Sequence, residues 1–443
     1  MMRRFSRPEL FILSILVAFL NIAAQAAYAE ETAEAAPVEA PDFVRVPLFF
    51  VTDRNLLSQS ENGPVFGPQR KYLGDCEHQP FLGSGYCVIE NKAHKVLTPK
   101  LQALGWQPAE AKEKAGAYKL ALQPDSESNF AQAQTEFFKD IAAKAVESEH
   151  NNILLFAHGY KNSFESAWDV AARFSYSFES PVVLYSWPSA AKLRAYAPDE
   201  NNNEWSQEHF NDVIEKLEEA CTSSSTKLRV YAHSMGSRLV IRATPLLREK
   251  PHLLEVGLIC PDIDQGVVKH YARRYLSDKG TAKLRLYMSR RDKALALSQI
   301  VHGGYFRLGE CADSVASMAV GAFRQSDQNK SLKDSDPQLQ AKLEKVQRRM
   351  QTIDFTDFDG LAIGHRIPVE LVKNIAYINR PGDGYALVLE ESGQRSNFGR
   401  AFSKITHLTG QTQEPPRTHC YKIVKESDKN NEAVVKSLAS ELE

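Results

Sequence analysis

The stretch that most constrains the fold of this chain is Leu228–Arg238, with the sequence LRVYAHSMGSR. The residues up to Ala232 are mostly apolar and favour a β-strand, and the residues from Ser237 onward favour a helix. A strand that enters a helix through so short a turn exposes a single residue, Ser234, and only small side chains fit two positions before and after it. Ala232 and Gly236 meet that requirement. The stretch therefore predicts a reactive serine on a strand-to-helix turn; the alternative is a connection in which the hydroxyl only caps the helix.

Apolar strands and amphipathic helices alternate on both sides of this turn. The predicted strands are Asn152–Phe156, Pro181–Tyr185, Leu228–Tyr231, Glu255–Cys260 and Lys283–Met288. The predicted helices are Phe130–Ser148, Phe164–Phe178, Ser206–Cys221, Ser237–Leu247 and Gly266–Tyr275. Continuous apolar strands separated by helices indicate an α/β protein with a mostly parallel central sheet and helices on both faces. Ligands of such sheets bind at the carboxyl ends of the strands.

The flanking segments set the expected domain boundaries. We expect the main domain over residues 43–373 and a small C-terminal appendage over 374–443. In the N-terminal part, Phe43–Asp53, Tyr86–Glu90 and Tyr118–Gln123 are predicted strands, and Leu56–Tyr86 is predicted to be a loop. A charged helical insertion is expected at about 326–352, and the appendage contains the predicted strands Tyr385–Glu390 and His419–Lys425.

The first residues of the chain have the order of a secretory signal peptide. Three arginines precede the apolar run Leu10–Leu20, and Ala27-Tyr28-Ala29 has the form of a cleavage site. The run is too short to cross a bilayer comfortably. We therefore expect residues 1–29 to be removed, the protein to be periplasmic or secreted in a bacterium, and no stable membrane span to remain. Residues 30–42, rich in Ala, Pro and Glu, are expected to be a linker.

Charge and cysteine content limit the partners. The net charge of -1 gives no general electrostatic reason for binding nucleic acid. An exported chain with six cysteines is expected to form disulfides, although their connectivity does not follow from sequence. The expected pairs are Cys76 with Cys87 and Cys311 with Cys420, which leaves Cys221 and Cys260 as buried thiols. No cysteine or histidine spacing is typical of zinc sites, so neither a metal nor another cofactor is expected.

A serine nucleophile needs a base, an acid that orients the base, and N–H donors for the developing oxyanion. The segment after the strand at Asn152–Phe156 reads Ala-His-Gly-Tyr. Gly159 allows a turn that directs the N–H of Tyr160 into the site, and the N–H of Met235 is the expected second donor. His158 and Gly159 are therefore expected to line the substrate site.

Candidates for the base and the acid follow later strands. His365 is the preferred base because it comes after a further β-rich segment that follows the candidate acid; His302, also beside glycine, is the alternative. Asp292, directly after the strand Lys283–Met288, is the preferred acid, although it has the composition of a helix cap as well. Asp262 follows the preceding strand and is the alternative acid.

Together these residues resemble a bacterial family of α/β-hydrolases of unknown function. The resemblance spans roughly Val46 to His365 and rests on the motifs Thr52–Arg54, Ala157–Phe164 (AHGYKNSF), Ser186–Ser189 (SWPS), Ala232–Gly236, Pro261–Asp264, Ser289–Leu295 and Gly364-His365. It implies an α/β-hydrolase fold in which Ser234 is the nucleophile, Asp292 the acid and His365 the base. Lys161 and Arg366 depart from the family pattern at positions outside this triad. The substrates of the family are largely unassigned.

The loop after Ser186 is expected to cover the site. Trp187 and Tyr196 would supply an apolar wall suited to an acyl or aryl group. The leading hypothesis is a serine esterase that acts on a small-molecule or lipid ester without a cofactor. A thioesterase, amidase or peptidase would use the same residues. A protein of another class, an envelope-binding protein on an idle hydrolase scaffold, is the further alternative.

Overall fold

The computed structural model describes most of the chain between residues 37 and 425. The described residues are 37–72, 79–124, 129–192, 194–247, 250–267, 282–289, 292–305, 307–310, 349–356, 365, 367–379, 385–392 and 418–425. The expected signal peptide lies outside them, as does most of the expected linker and insertion. Among the described residues, no helix has the length and apolarity needed to cross a membrane.

Strands and helices alternate through the central part of the chain, as predicted. The strands are β1 Phe43–Thr52, β2 Arg54–Ser60, β3 Gly63–Arg70, β4 Phe81–Glu90, β5 Gln107–Pro108, β6 Tyr118–Leu122, β7 Asn152–Ala157, β8 Val182–Ser186, β9 Lys227–His233, β10 Leu253–Ile259, β11 Lys283–Met288, β12 Met350–Asp354, β13 Tyr385–Ser392 and β14 Thr418–Lys425. The helices are α1 Pro99–Ala103, α2 Phe130–Glu147, α3 Phe164–Phe178, α4 Tyr196–Trp205, α5 Gln207–Ser224, α6 Ser237–Arg242, α7 Thr244–Leu247, α8 Lys293–Val301 and α9 Val369–Tyr377.

In the part of the chain that the structure describes, twelve strands form one sheet, in the order β13-β14-β12-β11-β10-β9-β7-β8-β1-β4-β6, with β5 also paired to β1. The strands from β12 to β1 in this order are parallel to their neighbours. The pairs β1–β4, β4–β6 and β13–β14 are antiparallel. The α/β fold with a mostly parallel sheet is confirmed. Because the central strands share one direction, the segments that follow β7, β9, β10, β11 and β12 meet at one edge of the sheet.

Both faces of the sheet are covered. One face packs against α2, α5 and α6 through residues such as Phe137, Phe210 and Leu239. The other packs against α3 and α9 through residues such as Phe174 and Val372. This arrangement explains why the central strands are apolar on both faces rather than alternating.

Helix α3 shows how local sequence fixes the segment that follows β7. Ser163 caps it, because its Oγ accepts the N–H of Ser166 at 3.2 Å. Ala167, Ala171 and Phe174 lie on its buried face at helical spacing. The helix therefore starts only a few residues after β7 and holds the short loop between them, residues 158–163, at the sheet edge.

The prediction of a loop over Leu56–Tyr86 is wrong. Residues Arg54–Arg70 form a two-stranded hairpin, β2–β3, and β4 begins at Phe81 rather than at Tyr86. Most of β2 is exposed, so its sequence lacks the alternation of buried and exposed residues that would have identified it.

The C-terminal boundaries also differ from the expectation. Helix α9 crosses the expected boundary at 373, and β13 and β14 extend the main sheet, since Ile353 of β12 pairs with Tyr421 of β14. The described residues of segment 374–443 therefore belong to α9 and to two strands of the main sheet. Residues 350–352, the last of the expected insertion, belong to β12.

No disulfide is found among the described residues. Cys87, Cys221 and Cys260 are buried and are not in disulfides. The expected bond between Cys76 and Cys87 is therefore not formed; Cys76 itself lies outside the described residues. The expected partner of Cys420, Cys311, lies outside them as well, so that pair stays a prediction.

Candidate active site

Ser234 occupies the strand-to-helix turn that its sequence predicts. β9 ends at His233, Ser234–Gly236 form a single 3-10 turn, and α6 begins at Ser237. Ser234 has φ of +51°, a left-handed conformation that non-glycine residues adopt rarely and that is found mainly at functional sites. A Cβ on Gly236 would lie 2.2 Å from the carbonyl oxygen of His158. The turn is therefore possible only because residue 236 has no side chain.

The structure joins Ser234, His365 and Asp292 in one chain of hydrogen bonds. The Oγ of Ser234 lies 2.8 Å from Nε2 of His365, and Nδ1 of the same ring lies 2.7 Å from Oδ2 of Asp292. The carboxylate accepts, so Nδ1 carries the ring proton and Nε2 is left as an acceptor for the serine hydroxyl. The side chain of Asp292 is 1% exposed and that of His365 is 20% exposed, so the ring reaches the solvent while the carboxylate does not.

Asp292 also caps a helix. Its Oδ1 accepts the N–H groups of Ala294 at 3.1 Å and of Leu295 at 3.0 Å at the start of α8. One carboxylate oxygen of Asp292 therefore caps the helix, and the other binds His365. The cap fixes the carboxylate in the orientation that the histidine contact requires.

Asp262, the alternative acid, makes different contacts. Its carboxylate accepts hydrogen bonds from Tyr196 and from Ser298, the latter at 2.6 Å, and lies 3.0 Å from Nε of Arg307. Burial favours the neutral acid, but the positive charges of Arg307 and Arg238 outweigh it and lower the pKa of Asp262. These bonds connect Asp262 to α4 and to α8.

The loop after β7 lies against Ser234. A Cβ on Gly159 would be 2.8 Å from the Cβ of Ser234 and 2.8 Å from Nδ1 of His233. Gly159 is thus the residue that allows this close approach, and it brings the backbone of Tyr160, the expected first oxyanion donor, next to the serine. The expected second donor, Met235, follows Ser234 in the turn and has a fully buried side chain.

His158 and Trp187, which were expected to line the substrate site, have side chains packed in the core. Both are buried, at 1% and 0% exposure, and their rings stack with centroids 5.0 Å apart. The indole Nε1 donates to the carbonyl oxygen of His158 at 2.8 Å. Burial, assisted by the nearby charge of Arg54, lowers the pKa of His158 to about 3. The contacts with Trp187 therefore anchor His158, the first residue of the loop 158–163, in the core.

Arg54 supports the same loop from a second side. It is 1% exposed and donates to the carbonyl oxygens of Asn162 at 2.8 Å and of Ser189 at 2.9 Å. Its Nε also donates to Oγ of Ser186 at 2.8 Å. Burial lowers the pKa of this guanidinium to about 10. The Thr52–Arg54 and SWPS motifs are therefore connected through one buried side chain to the loop that carries Gly159.

Tyr196, which was expected to supply an apolar wall, lies beside Tyr160 and His302. Its ring packs against that of Tyr160, with centroids 5.1 Å apart, and against His302 at 5.3 Å. Its hydroxyl binds Asp262 and accepts from Nη2 of Arg238 at 3.1 Å. Burial raises the pKa of this phenol, and the negative charge of Asp262 adds to the effect. His302 therefore packs against Tyr196, and the histidine that binds Ser234 is His365.

His233 is a further functional candidate, which the sequence analysis did not identify. The residue directly precedes Ser234, its Nε2 lies 3.0 Å from the carbonyl oxygen of His365, and the two rings are 5.1 Å apart. Burial lowers the pKa of His233 well below its usual range, with a further contribution from His365. The neutral ring therefore donates to the backbone that carries His365. The only signal in the sequence for this role of His233 was its position directly before Ser234.

The fold and the hydrogen-bonded serine, histidine and aspartate define the class as α/β-hydrolases. A family model described as "Alpha/beta hydrolase of unknown function (DUF900)" matches residues 131–366, more than half of the chain. The chain belongs to this family, which confirms the resemblance that the motifs indicated. The matched range includes Ser234, Asp292 and His365, whereas β1 and Arg54 lie before it. No curated protein matches the chain.

Proposed function

We propose that this hydrolase is a serine esterase that acts on carboxylic esters through an acyl-enzyme on Ser234. The observation that carries the proposal is the bonded chain from Oγ of Ser234 through His365 to Oδ2 of Asp292. Such a chain supplies a nucleophile, a base and a residue that holds the base in the correct tautomer. The left-handed backbone of Ser234 supports the same role, because it presents the hydroxyl at the sheet edge.

The proposed reaction has two steps. Nε2 of His365 takes the proton of Ser234 while Oγ attacks the ester carbonyl, and the resulting imidazolium donates that proton to the departing alcohol. Water then attacks the acyl-enzyme, loses its proton to Nε2, and releases the carboxylic acid as the proton returns to Oγ. Asp292 stabilises the imidazolium in both steps, and the N–H groups of Tyr160 and Met235 bind the oxyanion.

The surroundings of Ser234 favour an ester with an apolar acyl or aryl part. The paired rings of Tyr160 and Tyr196 offer an aromatic wall, and the carboxylate of Asp262 behind it is neutralised by arginines. We therefore propose a small-molecule or lipid ester as the substrate. Nucleic acid is not proposed as a partner. Export to a periplasm or to the outside is also part of the proposal and rests on the sequence of residues 1–29.

Labelling with a fluorophosphonate tests the nucleophile. The folded protein should become covalently labelled, and Ser234→Ala should not. Ser237→Ala is the matched control, because that buried neighbouring hydroxyl lies 3.4 Å from the carbonyl oxygen of Ala232 and takes no part in the chain of bonds. An unlabelled wild type would overturn the proposal and favour an idle scaffold. Labelling that persists in Ser234→Ala would also overturn it, because the nucleophile would then be another residue.

A substrate panel tests the ester assignment. p-Nitrophenyl esters of rising acyl-chain length should be hydrolysed, and kcat/KM should rise as the longer chain buries more of its surface against the rings of Tyr160 and Tyr196. A matched thioester and a matched anilide, each with the best acyl group, should be poorer substrates. If either exceeds the ester in kcat/KM, the esterase assignment is wrong although the nucleophile stands.

A further inference from the structure

The thiol of Cys260 lies beside the acid and the base of the proposed triad and has no part in the hydrolysis. Sγ of Cys260, a carboxylate oxygen of Asp292 and a ring nitrogen of His365 all lie within 4.8 Å of one another. Cys260 directly follows β10, Asp292 comes shortly after β11, and His365 comes after β12. The three side chains are therefore brought together by adjacent parallel strands and are far apart in sequence.

The conformation of Cys260 is unusual. Its φ is +44°, in the left-handed region, although it is neither glycine nor asparagine, and the residue is fully buried. Its N–H donates to the carbonyl oxygen of Tyr287 at 2.8 Å, so the chain remains attached to the end of β11. A cysteine whose backbone adopts the left-handed conformation at a strand end, next to two titratable groups, is an outlier of the kind that indicates a functional constraint.

The chemistry of these three donors selects a class of ligand. Thiolate, imidazole and carboxylate are the ligands that Zn²⁺ takes in proteins, whereas Ca²⁺ and Mg²⁺ prefer sites made of oxygen alone. Tetrahedral zinc with ordinary bond lengths separates such donor atoms by about 3.4–3.6 Å. Donors that already lie within 4.8 Å reach this geometry by small side-chain rotations. The fourth position is left for water.

We propose that Cys260, Asp292 and His365 form a binding site for a thiophilic divalent cation, of which Zn²⁺ is the representative, and that an occupied site is inactive. The inhibitory part rests on the proposed esterase function. On binding, Cys260 loses its thiol proton to solvent, and the single ring proton of His365 moves from Nδ1 to Nε2 by exchange with solvent while the metal takes the place of the Nδ1–H bond to Asp292. Because Nε2 then carries the ring proton, it no longer accepts the proton of Ser234.

Access to the site is through the proposed active site. The side chain of His365 is 20% exposed, whereas that of Asp292 is 1% exposed and Cys260 is fully buried. An ion that enters therefore passes the imidazole first. A substrate analogue attached to Ser234 should slow metal entry for the same reason.

Cobalt binding tests the site without reference to activity. Co²⁺ added to the folded Ser234→Ala protein should produce the near-ultraviolet absorption of a thiolate–cobalt bond, and Zn²⁺ should abolish it. Cys260→Ala should lose the band, and Cys260→Ser serves where the alanine variant does not fold. Cys221→Ala, which removes another buried thiol, should retain it. Absence of the band in the folded protein, or its persistence in the Cys260 variants, would overturn the proposal.

Inhibition is measured separately, as the rate of fluorophosphonate labelling relative to the metal-free rate of each variant. Zn²⁺ should slow labelling of the wild type, a chelator should restore it, and Cys260→Ala should need at least about tenfold more Zn²⁺ for the same effect. Equal sensitivity of wild type and Cys260→Ala would overturn the inhibitory role. A cobalt band that depends on Cys260 in a protein that is never labelled would leave the metal site standing and reject the esterase.

Discussion

Asp292 holds His365 with one carboxylate oxygen, Oδ2 at 2.7 Å from Nδ1, while its other oxygen caps α8. The position of the imidazole is therefore tied to the start of a helix. A carboxylate that is already fixed by two backbone N–H groups loses little freedom when it binds the ring, which favours a preorganised site.

Separate substitutions distinguish the two candidate acids. Asp292→Asn keeps an oxygen for the helix cap but no longer holds the catalytic tautomer, so we expect kcat to fall by about 10³–10⁴ with the free energy of unfolding nearly unchanged. Asp262→Asn removes the buried carboxylate that pairs with Arg307, whereas Arg238 keeps its ion pair with Glu200, so we expect a loss of about 3–5 kcal/mol in stability. Urea unfolding and the labelling rate per folded molecule measure the two effects. If Asp262→Asn alone abolishes labelling of folded protein, the assignment of the acid is wrong.

His233 should act as a positioning residue for His365. His233→Leu removes the N–H that donates to the His365 carbonyl, so the imidazole should shift and kcat should fall by about 100-fold while KM changes little. His233→Gln keeps a donor at a similar position and should recover most of the rate. Steady-state kinetics on the best ester decide this. Equal losses in the two variants would mean that His233 acts through packing rather than through this bond.

Gly236 should not tolerate a side chain. In Gly236→Ala the new Cβ would clash with the backbone carbonyl oxygen of His158. We therefore expect a loss of about 1–3 kcal/mol in stability and no labelling. Gly116→Ala is the matched control: it has φ of +86° but no atom within 4 Å of the added Cβ. It should lose about 1 kcal/mol through backbone strain and remain fully labelled. Normal labelling of Gly236→Ala would show that the turn differs from the one described.

Buried neutral histidines should make the protein sensitive to acid. The pKa of His158 is about 3 in the folded state and about 6.5 in the unfolded chain, so below pH 6.5 the unfolded state binds a proton that the folded state does not. The free energy of unfolding should then fall as the pH decreases from about 6.5 to 3, by about 1.4 kcal/mol per pH unit for this residue. His233, whose pKa burial also lowers, acts in the same direction.

Urea unfolding of wild type and His158→Gln between pH 6 and pH 4 measures this contribution. The wild-type slope should be steeper by about 1.4 kcal/mol per pH unit, because glutamine has no proton to gain. Parallel curves for the two proteins would mean that His158 is protonated in the folded state.

Much of the fold could be predicted from residue pattern. The bounds of α3 and β11 were predicted to the residue, and those of β7, β9 and β10 to within a few residues. These elements are buried on one or both sides, so their periodicity is strong. The hairpin β2–β3 was missed because an exposed hairpin leaves no such pattern, and the strands near the C-terminus could not be assigned to the main sheet because pairing is a long-range property.

The site could be predicted only in part, because the direction of several side chains also depends on long-range contacts. The side chains of Trp187 and His158 were expected to contact substrate because they stand at strand ends, but residues at strand ends face either the cleft or the core. Here the mutual stacking of the two rings and the bond from the indole to the His158 carbonyl hold both in the core. The role of His233 was missed because it depends on the position of a loop more than a hundred residues later.

By itself the sequence determined the strand, the turn and the helix around Ser234, because a turn so sharp has steric demands that only local small residues satisfy. Only the tertiary structure decided that Asp292 rather than Asp262 meets His365, since both aspartates follow neighbouring parallel strands and differ in what lies opposite them. The same juxtaposition placed the thiol of Cys260 beside that pair. Contacts between strand ends depend on strand order and loop path, which local spacing does not encode.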